Sequence, residues 1–282
     1  MSTPLPVLFR GLVDDAAVYP PGSAPLHEAV KDHRRHRTAW YAELVGPLLV
    51  PASAAAQLTE LVDPAERLAV GLVADTGLTG LRAALHAPPP GLAQVELAVA
   101  KRGENPLPGL SGLLDLLGER AGLRGYAEIP LTFGLISALD ELSDARRDGL
   151  DVAAKFRTGG LAAELFPTPI ELAAVICACR ERGVPFKLTA GLHHAIRHTD
   201  PETGFIHHGF LNVLVATAQA VHGAEVAEVA ATLAGTDPVP LIEATRRLLD
   251  TDRPLWIGFG TCSIAEPVQD LARLGLLPGN RS

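Results

Sequence analysis

The chain alternates short apolar, β-leaning runs with longer Ala- and Leu-rich amphipathic segments. This alternation is typical of repeated βα units around a parallel sheet. Eight strands are predicted, over residues 8–15, 46–52, 68–75, 94–101, 125–131, 152–158, 184–190 and 254–263. Helices are predicted between them, and the one before the seventh strand ends at Gly183, just after a basic turn. Eight such units close a barrel, so the predicted fold is an α/β (β/α)₈ TIM barrel.

The length of the chain suits one barrel. Its 282 residues, 48% of them hydrophobic, match one full barrel domain with a large core. No interval has the composition of a linker, so residues 1–282 are predicted to form a single domain. The irregular stretch 191–253 carries a His-rich loop and extra helical runs between the last two strands. We expect it to be an insertion on the active-site side, because loops that follow strands lie at the C-terminal face of a barrel.

Charge and hydropathy exclude several classes of partner. The net charge is −8 and the Lys and Arg residues are scattered, which argues against nucleic-acid binding. No apolar stretch reaches the roughly 18–20 residues of a membrane span, and the N-terminus lacks a signal-peptide core. We therefore expect a cytoplasmic, non-membrane protein that acts on a small-molecule substrate without a cofactor, most simply as a homo-oligomer.

Charged residues at predicted strand ends indicate where chemistry could occur. Lys155 and Lys187 lie in apolar runs of consecutive strands, which would place their ammonium groups close together. A buried lysine that faces another cation has a lowered pKa, and a neutral amine can attack a carbonyl to form a Schiff base. The alternative is that the lysines extend to solvent or pair with Glu96 or Glu128.

The segments around these lysines resemble a known family. A-K-F-R-T-G-G at 154–160 and G-V-P-F-K-L-T-A-G at 183–191 are similar to the two-lysine signature of the deoxyribose-phosphate aldolase family. G-F-G-T-C-S at 258–263 resembles the Gly-Thr-Ser phosphate loop of the same barrels. L-V-D-D-A-A-V-Y-P-P at 12–21 is similar to their first strand, and V-E-L-A-V at 95–99 to the strand that carries a catalytic acid. These matches follow the family's order along most of the chain.

The resemblance implies a class I aldolase-like lyase that acts on a small carbonyl substrate with an anionic group. Lys155 would form the Schiff base and Lys187 would lower its pKa. Glu96, which stands where the family has an aspartate, and Asp14 would relay protons. Binding of the substrate and its anionic group is expected of Arg157, Gly191, His193, His194, Gly258, Gly260, Thr261 and Ser263.

The chain also departs from the family pattern. Arg157 is bulky and charged where the family has a small residue, His193 and His194 follow the second lysine's glycine, and the insertion has no counterpart. These departures leave two other hypotheses open. One is a metal-dependent barrel enzyme that uses the loop histidines, namely His193, His194, His198, His207 and His208. The other is a non-catalytic barrel that binds a small anion at its final loop.

Overall fold

The computed structural model describes residues 4–277, and its centre is a closed barrel of eight parallel strands. The barrel strands are β1 Val13–Asp15, β2 Val45–Pro51, β3 Val70–Val73, β4 Leu92–Ala98, β5 Arg124–Glu128, β6 Val152–Arg157, β7 Phe186–Thr189 and β10 Trp256–Thr261. Neighbours along the chain are neighbours in the barrel from β1 to β7, and β10 closes it between β7 and β1. The predicted (β/α)₈ TIM-barrel fold is confirmed.

Helices separate the strands as the sequence pattern predicts. They are α1 Leu26–Thr38, α2 Ala55–Leu61, α3 Gly77–Ala84, α4 Leu107–Gly118, α5 Leu135–Arg147, α6 Pro169–Arg182, α7 Phe210–Val221, α8 Val226–Ala234, α9 Pro238–Leu248 and α10 Ala265–Arg273. Helix α6 illustrates the local signals, because Thr168 and Glu171 form a capping box at its start and Gly183 ends it in the left-handed conformation. Within residues 4–277, no helix is long and apolar enough to cross a membrane.

Alternation along the strands divides the core into two layers. In β6, Val152, Ala154 and Phe156 are buried, and the Phe156 ring lies 6.1 Å from the Phe186 ring of β7. These side chains face the surrounding helices, because successive residues of a strand point to opposite faces. Lys155 is therefore directed into the barrel, where the other charged strand residues meet it.

The first strand is shorter than predicted. Residues Val7–Phe9 form one turn of 3₁₀ helix, and only Val13–Asp15 pair with the neighbouring strands. Gly11 separates the two with a φ of 57°, a left-handed conformation that breaks the extended run. The eight-residue apolar pattern therefore contains a turn as well as a strand.

The segment 191–253 divides into two parts. Strands β8 His198–Thr199 and β9 Ile206–His207 form an antiparallel hairpin at the C-terminal end of the barrel. Helix α7 is buried along almost its whole length, and its first residue, Phe210, stacks on Phe259 of β10 at 5.5 Å. An apolar helix of this kind has to be covered on several sides, and α8 and α9 pack against it. Only the part up to about residue 209 therefore lies on the expected side of the barrel.

Candidate active site

The two predicted lysines meet inside the barrel. Lys155 of β6 is directly opposite Lys187 of β7 in the strand register, and on its other side it is opposite Glu128 of β5. Both lysine side chains are almost fully buried, with 4% and 2% of their surfaces exposed. Residues opposite each other on adjacent parallel strands point to the same face of the sheet, which here is the barrel interior.

Glu96 of β4 joins the two lysines. Its Oε2 lies 2.7 Å from Lys155 Nζ. Its Oε1 accepts a hydrogen bond from Lys187 Nζ. The carboxyl group is itself 1% exposed, so both contacts are shielded from solvent. The lysines thus lie close together, as predicted, and both also pair with one buried carboxylate, as the alternative interpretation expected.

Each lysine has a second acidic partner. Lys155 Nζ lies 2.8 Å from Oε2 of Glu128. Lys187 Nζ donates to Oδ2 of Asp14 on β1. Gln94 Nε2 also donates to Asp14 Oδ2, at 2.9 Å, and to Glu96 Oε1, at 3.1 Å. The result is a continuous buried network of three carboxylates, two ammonium groups and one amide.

Two glycines make room for this network. A Cβ on Gly46 of β2 would overlap the Asp14 carboxylate, and a Cβ on Gly71 of β3 would lie 2.8 Å from Gln94 Cγ. Both positions face the barrel interior, where larger side chains would fill the space. The absence of two side chains on β2 and β3 therefore allows polar groups to occupy this layer.

The carboxylates hold both lysines in the charged form. Burial alone lowers the pKa of Lys155, but the charges of Glu96 and Glu128 outweigh it and raise that pKa above its ordinary value. Burial likewise opposes the charge of Lys187, whose pKa is nevertheless raised by Asp14 and Glu96. This is the reverse of the lowering predicted from two facing ammonium groups, because the acids between them compensate both charges.

The acids of the network are not equivalent. Burial favours the neutral form of Glu96, but the two lysines outweigh it and lower its pKa to about 2. For Asp14, burial is the stronger influence, and its pKa is raised despite the contact with Lys187. Glu96 is therefore a fixed anion, whereas Asp14 is the acid that holds a proton most readily.

The network has one side that faces a cavity. Glu128 is 16% exposed and lines a cavity of about 190 Å³ together with Arg157, Pro130, Leu165 and other residues of the loops after β4, β5 and β6. Arg157 Nε donates to Glu128 Oε1 at 3.2 Å, and its side chain is 45% exposed. Arg157 thus lies at the entrance, one carboxylate away from Lys155.

Apart from Arg157, the residues predicted to bind the substrate's anionic group belong to β10 or to the loops after β7 and β10. Gly258, Gly260 and Thr261 belong to β10, where they are paired with β1 and β7. Ser263 follows, and its backbone N–H faces Thr261 Oγ1 at 3.4 Å. Gly191 lies against the β6 loop, since a Cβ there would be 2.8 Å from Thr158 O. A Cβ on Gly258 would likewise lie 2.4 Å from Leu12 O, so close backbone packing requires glycine at these two positions, and their predicted role in anion binding stays a prediction.

His193 and His194 each pair with an acid of helix α10. His193 Nδ1 lies 2.8 Å from Glu266 Oε2, and His194 Nδ1 lies 3.2 Å from Asp270 Oδ2. Glu266 and Asp270 are four residues apart, so they occupy one face of the helix. The two histidines therefore attach the loop after β7 to the helix after β10.

Three of the loop histidines form a row of contacting rings, since the ring of His198 meets that of His194 edge-on at 4.8 Å and also contacts His207, whereas His208 lies apart. His198 stacks on His207 at 5.3 Å across the β8–β9 hairpin. His208 is buried, and its Nε2 lies 2.7 Å from Pro167 O. Among residues 4–277, no group of three or more His, Cys, Asp or Glu side chains is arranged to hold a metal ion. The histidines that are close in sequence thus do not form a common ligand set.

Comparison with known proteins identifies no family. A scan against models of known protein families gives no match to this chain. A search of curated proteins finds no relative. The similarity to deoxyribose-phosphate aldolases therefore rests on the sequence motifs and stays a prediction. The positions of Asp14, Glu96, Lys155 and Lys187 around one network are an independent structural observation.

Several residues of the site were not singled out from the sequence. Gln94 and Tyr126 each lie two residues before an acid of the network, and the Tyr126 ring centroid is 4.9 Å from Lys187 Nζ. The period of two along a strand could have identified both. Tyr19, in the loop after β1, places a buried hydroxyl near the network, and burial with the charges of Glu96 and Asp75 raises its pKa. No local pattern marks that loop residue.

Proposed function

We propose that this chain is a lyase of the class I aldolase type, which makes or breaks a carbon–carbon bond of a small carbonyl substrate through a Schiff base on Lys155. One observation carries the proposal: two buried lysines on adjacent strands share the carboxylate of Glu96 at the centre of the barrel. An amine beside a second cation and several acids can be switched between charged and neutral forms. Such switching is what Schiff-base chemistry requires.

Lys155 is the better nucleophile of the two by position. Its partner Glu128 lines the cavity and also contacts Arg157, so substrate can approach from this side. Lys187 is enclosed by Asp14, Glu96 and the Tyr126 ring. We therefore assign the covalent step to Lys155 and proton transfer to Lys187.

The resting ammonium of Lys155 must first lose a proton. Glu128 is in contact with it, but burial is outweighed by the charges of Lys155 and Arg157, which lower the pKa of Glu128 in the resting site. Glu128 accepts the proton once the entering substrate draws Arg157 away from it. With Glu128 neutral, one of the two charges that favour the ammonium is removed, and burial and the Lys187 charge then favour the free amine. Glu128 thus acts as the base that makes the nucleophile.

The bond changes balance without an outside reagent. Lys155 Nζ attacks the carbonyl carbon, and the carbonyl π electrons move to oxygen. A proton passes from nitrogen to that oxygen, with Lys187 and Asp14 as the relay. Glu128 then returns its proton to the resulting hydroxyl, which leaves as water and gives an iminium ion. The iminium accepts the electron pair of the carbon–carbon bond that breaks and becomes an enamine, while the substrate's β-hydroxyl group gives its proton to a carboxylate of the network and becomes the carbonyl of the released fragment. The enamine carbon then takes up that proton, and water hydrolyses the resulting iminium and frees Lys155.

Borohydride trapping tests the proposal. The protein is incubated with a panel of small aldehydes and ketones, reduced, digested and analysed by mass spectrometry. We expect a stable secondary amine at Lys155, no adduct in Lys155→Met, and a strongly slowed adduct in Lys187→Met. Lys101→Met removes an exposed lysine and serves as the matched control. An adduct that persists in Lys155→Met, or no adduct with any carbonyl compound, would refute the proposed function.

A further inference from the structure

A second group of polar side chains lies at the C-terminal end of β10, outside the lysine network. His193 comes from the loop after β7, Glu266 from the first turn of α10, and Thr261 ends β10. His193 and Glu266 are partly exposed, with 21% and 41% of their side-chain surfaces accessible. This group can therefore meet a small molecule that enters the end of the barrel.

The imidazole of His193 has a defined orientation. Its Nδ1 lies 2.8 Å from Glu266 Oε2 and 3.3 Å from Thr261 Oγ1. A carboxylate beside Nδ1 favours the tautomer in which this nitrogen carries the proton. The other ring nitrogen, Nε2, is then a hydrogen-bond acceptor. The pair thus presents an acceptor that suits a hydroxyl group.

The distance from the lysines suits a short substrate. Gly258 is opposite Lys187 in the strand register, and Thr261 is three residues further along β10. At about 3.3 Å per residue, this places Thr261 about 10 Å from the level of the lysines, towards the C-terminal end. A carbonyl compound of a few carbons could react at Lys155 and extend its far end towards His193.

The charged side chains around the C-terminal end of β10 disfavour the binding of a phosphate group there. The N-terminus of a helix after a barrel strand commonly attracts anions, but here Glu266 occupies the first turn of α10. Asp270 accepts a hydrogen bond from Ala195 N nearby, and Asp15, whose carboxylate contacts His33 of α1, is opposite Thr261 in the register. In the part of the chain from 4 to 277, no Lys or Arg side chain hydrogen-bonds or ion-pairs with residues 258–263. A phosphate dianion would meet like charges.

We infer that the His193–Glu266 pair binds an uncharged, hydroxyl-bearing end of the substrate, so that the substrate is a non-phosphorylated hydroxyaldehyde or hydroxyketone. This inference rests on the proposed Schiff-base function, since it specifies the substrate class of that reaction. The sequence resemblance implies that a phosphate group binds at the end of β10. We instead place an uncharged hydroxyl group of the substrate there.

A matched pair of sugars provides the test. Trapping on Lys155 by borohydride is measured with erythrose and with erythrose 4-phosphate at equal concentrations of the open-chain form. We expect erythrose to react at least about tenfold faster, because like charges at the site raise the free energy of the bound ester. Inorganic phosphate should not slow the reaction. Faster trapping of the ester, or competition by inorganic phosphate, would overturn the inference and leave the Schiff-base proposal intact.

One variant separates charge from shape. Glu266→Gln keeps a polar side chain beside His193 but removes the negative charge, and we expect the preference for erythrose to fall several-fold. Glu28→Gln makes the same change in the first turn of α1 and should leave the preference unaltered. An unchanged preference in Glu266→Gln would count against the inference.

The two proposals fail in different ways. If no carbonyl compound labels Lys155, the Schiff-base function is refuted. Thermal denaturation then decides the binding preference independently, with erythritol and inorganic phosphate as probes. Greater stabilisation by phosphate at equal concentration overturns the inference, and greater stabilisation by erythritol supports it.

Discussion

Two regions of the molecule are rich in titratable side chains, and they are organised in opposite ways. The barrel interior joins Lys187 to Asp14, which is 173 residues away in the sequence, in one dry network. The loop from His193 to His208 carries five histidines within a short stretch, yet only His194, His198 and His207 touch one another, and no carboxylate or ammonium group joins the five into one network. Parallel strands bring distant residues to one level, whereas a hairpin and its flanking turns direct neighbouring residues to different sides.

The comparison predicts the largest loss of stability for the shared carboxylate. In Glu96→Gln, two buried ammonium groups lose their common anion, and we expect the free energy of unfolding at neutral pH to fall by about 3–5 kcal/mol. Denaturant unfolding measures the loss, with the exposed Glu60→Gln on α2 as the control. A loss below about 1 kcal/mol would contradict the network described above.

The lowered pKa of Glu96 predicts a range of acidic pH over which the folded protein loses stability. The pKa of Glu96 is about 2 in the folded protein and 4.5 ordinarily, so the unfolded chain binds the proton more tightly. Its stabilisation is therefore present above pH 4.5 and is lost as the pH falls towards 2. Glu96→Gln should lack this contribution to the pH profile.

In the loop from His193 to His208, we expect a smaller loss of unfolding free energy than for Glu96→Gln, and one that depends on pH. Burial lowers the pKa of His208 to about 4, below its ordinary value of 6.5. The unfolded chain therefore binds more protons between these values, and stability should fall by about 1–3 kcal/mol as the pH drops from 6.5 to 4. His208→Gln should flatten this part of the unfolding profile, and the exposed His222→Gln should not. Equal slopes in all three proteins would show that His208 is not buried in neutral form.

Replacement of Asp14 should affect stability differently from replacement of Glu96, although both acids belong to the same network. Because burial raises its pKa, its ionised form is less favoured in the folded protein than in the unfolded chain. Because Asp14 pairs with Lys187, Asp14→Asn should still lower the free energy of unfolding at neutral pH, but by less than Glu96→Gln, which removes the anion that both lysines share. Denaturant titrations of the two variants side by side measure the difference. Equal losses would mean that both acids are fixed anions.

The smallest effect is expected for added metal. Since no His, Cys, Asp or Glu group within residues 4–277 is arranged to hold a metal ion, micromolar Zn²⁺ should shift the thermal midpoint by less than about 1 °C. A saturable stabilisation that disappears in His198→Ala would instead indicate a metal site at the β8–β9 hairpin. Such a result would remove the distinction between the two regions.

The strands were predictable because their apolar runs are short, regular and bounded by turn residues. Each of the eight predicted runs overlaps a barrel strand, and β6 and β7 lie within the intervals predicted for them. The first run was too long because hydrophobicity alone does not distinguish a buried 3₁₀ turn at Val7–Phe9 from a strand.

The site was predictable to the extent that it lies on strands. Lys155, Lys187, Glu96 and Asp14 follow from strand order, since parallel neighbours bring their C-terminal ends together. The sign of the lysine pKa shifts could not be predicted, because it depends on how many carboxylates reach the ammonium groups. The partners of His193 and His194 are separated from them by more than 70 residues and lie on a helix, so no local pattern reveals them.

Gly46 offers a way to alter the site without replacing a charged residue. A methyl group at this position would take the space that the Asp14 carboxylate now fills. Gly46→Ala would displace that acid while every ionisable group of the chain stays in place. A single apolar substitution on β2 would thereby change where protons are held inside the barrel without removing any group that can bind one.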